Sequence, residues 1–257
     1  MSTGATARPR ERPSFEACLQ YERERLARRE PNELANWLAE LVATNAEPHH
    51  QGSLSEWQRF FHNLVARQRF RIFITGERVP DQGGRAIALA LRHAIRGYQG
   101  VSVDQDTPSR KQVSASTPRD VWRPQVLVLM PSAERVCRAA TAVRQLTRFQ
   151  RHHWACLKVF ARHERLQVSM ARCQALAQTT AQHKRGVVVL GTPHRIAELL
   201  HRRVLGAPQL LLVLDMSLDE KCRRLLRMPD VERAVVECLW LLREALEVAT
   251  TELVLYA

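Results

Sequence analysis

The chain has 257 residues and a mass of 29.5 kDa, with 45% hydrophobic and 25% charged residues. That length suits one α/β domain with an extension, or two small domains, and the composition excludes wholesale disorder. The net charge of +13 is concentrated: residues 110–203 hold 18 basic and 4 acidic side chains, against 15 and 13 in 1–109 and 6 and 9 in 204–257. An excess of +14 in one segment needs a counter-charge, which RNA, DNA or an acidic protein would supply.

Residues 1–13 carry Arg and Pro but no apolar core, so they read as a flexible basic tail and not a secretory leader. Residues 14–66 read as a helical extension. Pro31-Asn32-Glu33 opens a segment with Leu34, Trp37, Leu38 and Leu41 at helical spacing, and Ser53-Leu54-Ser55-Glu56-Trp57 opens another, continued by Phe60, Phe61, Leu64 and Val65. Phe70–Thr75 is a short β-type run, Gly83–Gly97 reads as a helix, and the polar stretch 103–124 reads as a surface loop or insertion.

From residue 125 the pattern is regular. Apolar strands are expected at Val126–Met130, Cys156–Phe160, Val187–Leu190, Leu210–Leu214 and Leu253–Tyr256. Helices are expected between them at Ala133–Phe149, Leu166–Ala181, Arg195–Val204 and Val231–Val248. Strands apolar on both faces and spaced by helices predict a parallel sheet covered on both sides. The longest aliphatic run, Leu210–Leu214, is far short of the ~20 residues of a membrane span.

No two of the six cysteines lie closer than sixteen positions, so paired zinc-ligand or redox spacing is missing and buried thiols in a reducing compartment are expected. The adjacent pairs His49-His50 and His152-His153 are poor joint ligands, because helix neighbours point about 100° apart.

Three strand-to-helix junctions stand out. Met130-Pro131-Ser132-Ala133-Glu134-Arg135 leaves a strand through Pro131 and offers Ser132 as a helix cap. Gly191-Thr192-Pro193-His194-Arg195-Ile196 has Thr192 as a natural N-cap and Pro193 at the first helical position. Val213-Leu214-Asp215 ends a strand on a carboxylate, at the edge where open α/β sheets place ligands. Exposed N–H groups at helix starts, bordered by arginines, form phosphate sites. Arg144, Arg148 and Arg151 also recur as a stripe on one helix face.

The order Pro-Ser-Ala-Glu-Arg, Thr-Pro-His-Arg-Ile and Leu-Asp after a strand is similar to the first RecA-like half of DEAD-box RNA helicases. A closer resemblance is to the Cms family of small-subunit ribosome-biogenesis proteins of the 90S pre-ribosome. It is carried by Lys158-Val159-Phe160-Ala161-Arg162-His163, by Gly191–Ile196, and by Asp219-Glu220-Lys221-Cys222-Arg223-Arg224-Leu225 followed by Met228-Pro229-Asp230. His194 stands where that family has Gly, and Asp215-Met216 where it has Asp-Trp.

The resemblance implies an α/β fold: a single RecA-like parallel sheet flanked by helices over 67–257. It also implies an RNA surface formed by Pro131, Ser132, Arg135, Lys158, Arg162, His163, Thr192, Pro193, His194 and Arg195. The partners it implies are pre-rRNA or small nucleolar RNA and 90S pre-ribosomal proteins, in the nucleolus of the nucleus, with no membrane and no small-molecule substrate.

ATP chemistry of this class needs a phosphate-cradling loop ending in Lys and Ser/Thr. The nearest stretch, Thr75-Gly76-Glu77 through Gln82-Gly83-Gly84-Arg85, lacks both and carries acids that repel phosphate. After Asp215 come Met216, Ser217 and Leu218 in place of a second carboxylate, and Asp219 and Glu220 are expected to open the next helix. The sequence stops at Ala257, just after the strand that precedes the helicase's Ser-Ala-Thr motif. The expectation is therefore a lone lobe that is not an enzyme and needs no cofactor and no metal. The competing readings are an RNA-stimulated ATPase with a degenerate site, and a protein-interaction module whose basic face docks an acidic partner.

Overall fold

The structure is a computed structural model. It describes residues 26, 28–45, 52–73, 87–88, 91, 121–148, 154–162, 164–183, 186–217 and 223–256. The tail 1–13, most of the 103–124 loop, the 75–85 loop, most of the Gly83–Gly97 helix, His163 and Asp219–Cys222 lie outside the described residues.

Among the described residues, two helices precede the sheet, α1 (Pro31–Asn45) and α2 (Leu54–Ala66). Pro31 suits a helix start because its missing N–H would have no intrahelical partner there. Ser53 begins α2 with a capping box: its side chain accepts from the Glu56 N–H and the Glu56 carboxylate accepts from the Ser53 N–H. Strand β1 (Phe70–Phe73) follows. Then come β2 (Val126–Leu129), α3 (Ala133–Arg148), β3 (Trp154–Val159), α4 (Leu166–His183), β4 (Gly186–Gly191) and α5 (Pro193–His201). The chain continues through β5 (Leu211–Asp215), a 3₁₀ turn (Leu225–Arg227), α6 (Glu232–Val248) and β6 (Glu252–Tyr256).

The six strands form one sheet in the order β1-β6-β5-β2-β4-β3, and every pairing is parallel. This is the expected α/β architecture, a parallel sheet flanked by helices and consistent with a RecA-like domain. The expected strands are found with shifts of one or two residues, as in β3, which starts at Trp154. The end of the 103–124 segment is not free loop: Trp122 bridges Leu205, and its carbonyl accepts from the Gly206 N–H at 2.8 Å.

Strand alternation divides the core cleanly. Leu127, Leu129, Val187, Val189, Leu212, Leu214, Leu253 and Leu255 face one side, where α1, α2, α5 and α6 contribute Leu38, Phe60, Ile196 and Leu239 to the same cluster. Val126, Val128, Val188, Leu190, Leu211, Val213 and Val254 face the other, against Val136, Ala139, Ala140 and Val143 of α3 and Ile87 and Leu91. The helices before β1 thus share a continuous core with the sheet. Trp57 stacks on Phe61 with ring centroids 5.9 Å apart and meets Trp240 of α6 edge-on at 6.1 Å.

Candidate nucleic-acid interface

Parallel strands bring their carboxyl ends to one edge of the sheet. Four neighbouring strands, β5, β2, β4 and β3, therefore set their following turns side by side in that order. At about 4.8 Å per strand, the Asp215, Pro131, Thr192 and Phe160 turns form a row roughly 15 Å long. Backbone bonds extend the sheet into the row: the Met130 N–H donates to the Gly191 carbonyl at 2.9 Å, and the Thr192 N–H to the Val159 carbonyl at 3.1 Å. Gly191 lets α5 approach this closely, since a Cβ there would sit 2.6 Å from both Ile196 and Val159 side chains.

At the β2 turn, Ser132 caps α3 by accepting from the Arg135 N–H at 3.2 Å. The Arg135 side chain does not lie on the surface beside it. It reaches one strand across to Asp215, donating from Nε to Oδ2 at 2.9 Å and from Nη2 to Oδ1 at 3.3 Å. Ser217 completes the cluster: its hydroxyl donates to Asp215 Oδ1 and accepts from Arg135 Nη2, and its N–H donates to the same Oδ1 at 3.3 Å. Asp215 is fully buried, while Arg135 keeps 21% of its side chain exposed. Burial pushes the Asp215 carboxyl above the usual carboxylate range, and the adjacent Arg135 charge and the Ser217 bonds pull it back in part.

At the β4 turn, Thr192 is the N-cap of α5 by backbone position, but its side chain makes no capping bond, contrary to the expected role. His194 is exposed on α5, and Pro193 is buried. Arg195 is 5% exposed. Its Nη2 donates to the Glu164 carbonyl at 2.7 Å, and its Nη1 lies 3.2 Å from the Glu198 carboxylate without hydrogen-bond geometry. Glu164 is itself fixed, accepting from the Ser169 hydroxyl and from Arg172 Nη1, both at 2.6 Å. Arg195 therefore ties the turn after β4 to the turn after β3.

The turn after β3 carries Arg162, which is exposed. Lys158, within β3, is half-buried and lies against α3, with Nζ 3.7 Å from Cys137 Sγ. Of the residues that the resemblance assigns to an RNA surface, all that are described come to the one edge, on or beside its four turns, whereas Arg144 lies farther along α3 with its Nη2 donating to the Cys156 carbonyl at 3.3 Å. Arg162 and His194 face solvent, whereas Arg135 and Arg195 spend their guanidiniums inside the protein. Sequence reasoning missed the partners Ser217 and Glu164. The Asp-x-Ser spacing at 215–217, typical of a carboxylate accepting from a backbone N–H two residues on, was the one local signal available.

The Asp215 cluster does not fit a magnesium–nucleotide complex. Magnesium requires oxygen ligands at about 2.0–2.1 Å in octahedral array. Both Asp215 oxygens already accept charge-assisted bonds from a guanidinium, which a second cation would have to displace. The next side chain, Met216, is 1% exposed in the apolar core. Among the described residues, no group of three or more His, Cys, Asp or Glu is placed to hold a metal ion, and no helix is long and apolar enough to cross a membrane.

No curated protein matches the chain. A family model does match: residues 105–256, more than half of the sequence and all of the edge just described, fit the model of the CMS1 family, U3-containing 90S pre-ribosomal complex subunit. With its parallel sheet and its row of carboxyl-edge turns, the chain belongs to the CMS1 family.

Proposed function

We propose that this chain is a non-catalytic RNA-associated assembly factor that acts within the 90S pre-ribosome during small-subunit rRNA maturation, in the nucleolus. Membership of a family of 90S pre-ribosomal subunits supports the setting, and the +14 segment that supplies β2, α3, β3, α4, β4 and α5 supports a polyanion as the direct partner. The observation that carries the non-catalytic part is Asp215. In a nucleotide-hydrolysing lobe of this shape, a strand-end carboxylate serves a metal and its water; here both oxygens serve Arg135 and Ser217. The protein then offers a fixed basic edge on which backbone phosphates bind, with Arg162 and His194 as its exposed members.

The test is binding of single-stranded pre-rRNA fragments across a potassium chloride series. Log affinity should fall linearly with log salt, and Arg162→Glu should weaken binding and reduce the slope by about 1. Calorimetric titration with magnesium-ATP should show no binding. Micromolar magnesium-ATP binding lost on Asp215→Ala would favour the ATPase reading. Salt-independent or undetectable RNA binding, together with capture of an acidic pre-ribosomal protein, would favour the protein-docking reading.

A further inference from the structure

We infer that the Arg135–Asp215–Ser217 cluster is a built-in clasp that fixes the β2 and β5 turns relative to each other, making the grip on polyanion insensitive to nucleotide. Arg135 and Asp215 are on this view positioning residues. The inference rests on the RNA-binding reading above and adds to it how that surface is regulated, or rather that it is not.

Asp215 ends β5 and Arg135 sits in the first turn of α3, 80 residues apart in sequence and joined only through space. The turn that Arg135 anchors carries Pro131 and Ser132, and the amides of Ala133 and Glu134 belong to the first helical turn, which has no intrahelical acceptors for its N–H groups. Four hydrogen bonds reach one carboxylate: two from the guanidinium, one from the Ser217 hydroxyl, which also engages the guanidinium, and one from the Ser217 N–H. A bidentate pair fixes direction as well as distance, so the α3 start cannot slide along β5 without breaking it.

In a lobe whose carboxylate meets a metal–nucleotide, the cation arrives and leaves, and neighbouring turns can follow it. Here the cation is tethered covalently to α3 and is always present. A ligand shifts an equilibrium only by its differential affinity for two states. With Asp215 already saturated, magnesium-nucleotide has no group in this cluster through which to distinguish them. The polyanion surface is therefore held in one arrangement.

The experiment uses the full chain, a fluorescently labelled single-stranded RNA and amide hydrogen exchange. The native protein should bind RNA with affinity changed less than twofold by a large excess of magnesium-ATP. Asp215→Asn should lower RNA affinity about tenfold and speed exchange at residues 131–136, while β2 and β4 keep their protection. A merely structural loss would instead speed exchange across the whole sheet. Should Asp215→Asn fail to fold, Ser217→Ala, which keeps both charges, carries the test with changes in the same direction of about threefold. Native-like RNA affinity and native-like exchange at 131–136 in these variants would overturn the clasp, and so would a tenfold response of the native protein to magnesium-ATP. If the native chain shows no salt-dependent RNA binding while Asp215→Asn still loosens residues 131–136, the RNA reading fails and the clasp stands as a structural feature alone.

Discussion

Arg135 and Asp215 are unequal partners, and their substitutions should differ accordingly. Removing one member of a buried ion pair costs about 3–5 kcal/mol, because the other charge is left uncompensated. Arg135→Ala strands a fully buried carboxylate and should reach that range at pH 8 in chemical denaturation. Asp215→Asn strands a guanidinium that keeps 21% of its side chain in water, so about 2–3 kcal/mol is expected. The pH dependence separates them further. In Arg135→Ala, burial acts on Asp215 without the opposing charge, so its folded pKa rises further above the unfolded value. The folded state then binds more protons than the unfolded state between those values, and stability falls as pH rises through that window. The Arg135→Ala deficit should therefore be smaller at pH 5 than at pH 8, whereas that of Asp215→Asn, which removes a carboxyl already raised in the native protein, should be no larger at pH 8 than at pH 5.

Burial pushes the Cys156 and Cys173 thiols up to about 11, despite nearby positive charge. At pH 8 roughly one thiol in a thousand is then ionised at each, and only the thiolate attacks an alkylating reagent. Iodoacetamide labelling read by mass spectrometry should find both sites slow in the folded protein and fast after unfolding. The same shift makes folding less favourable as pH climbs from about 9 to about 11, where the unfolded thiols ionise first.

At the scale of elements, the two ends of α5 show how the chain reconciles local preference with packing. At its start, Gly191 ends β4 under Ile196, and a Cβ at 191 would meet the Ile196 and Val159 side chains at 2.6 Å. Gly191→Ala should cost about 1–3 kcal/mol by overpacking, read as a lower denaturation midpoint with unchanged slope. At its end, Arg203 follows the C-cap Arg202 with φ of 54°, in the left-handed region that favours glycine. The Arg203 N–H donates to the Leu200 carbonyl and the Val204 N–H to the Leu199 carbonyl. Arg203→Gly keeps these backbone bonds and relieves the strain, so thermal unfolding should shift upward. Because Arg203 is exposed in the +14 segment, RNA affinity is the matching cost to measure.

For the whole molecule, the question is how far the sheet depends on the helices before it. Trp57, Phe60, Phe61 and Leu64 of α2 and Leu34 and Leu38 of α1 are all buried, in one cluster with Leu212, Leu214, Leu239 and Leu253. Three hydrogen bonds tie the residues just after α2 to the far end of α6: Arg69 donates to the Leu246 and Glu247 carbonyls at 2.9 and 3.1 Å, and Arg67 donates to the Glu247 carbonyl. A chain beginning at residue 67 would leave that apolar surface open, at about 25 cal/mol for each Å² returned to water. It should be insoluble or lack near-ultraviolet dichroism, whereas the full chain should unfold in a single transition. Two separable transitions in the full chain would show instead that the helices and the sheet are independent units.

Local order was legible in the sequence because burial repeats at the period of each element. Strands such as Val187–Leu190, apolar on both faces, could only sit inside a covered parallel sheet, and Ser53-Glu56 and Ser132 announced their helix starts. The carboxyl-edge location of Asp215 followed from its place at the end of a strand. What the tertiary structure alone decided was the strand order, and with it which turns become neighbours. That adjacency turned Arg135 toward Asp215 and Arg195 toward Glu164, and left Arg162 and His194 facing solvent. A guanidinium's partner is set by distance through space, and residues 80 and 31 positions apart leave no periodic trace of their meeting.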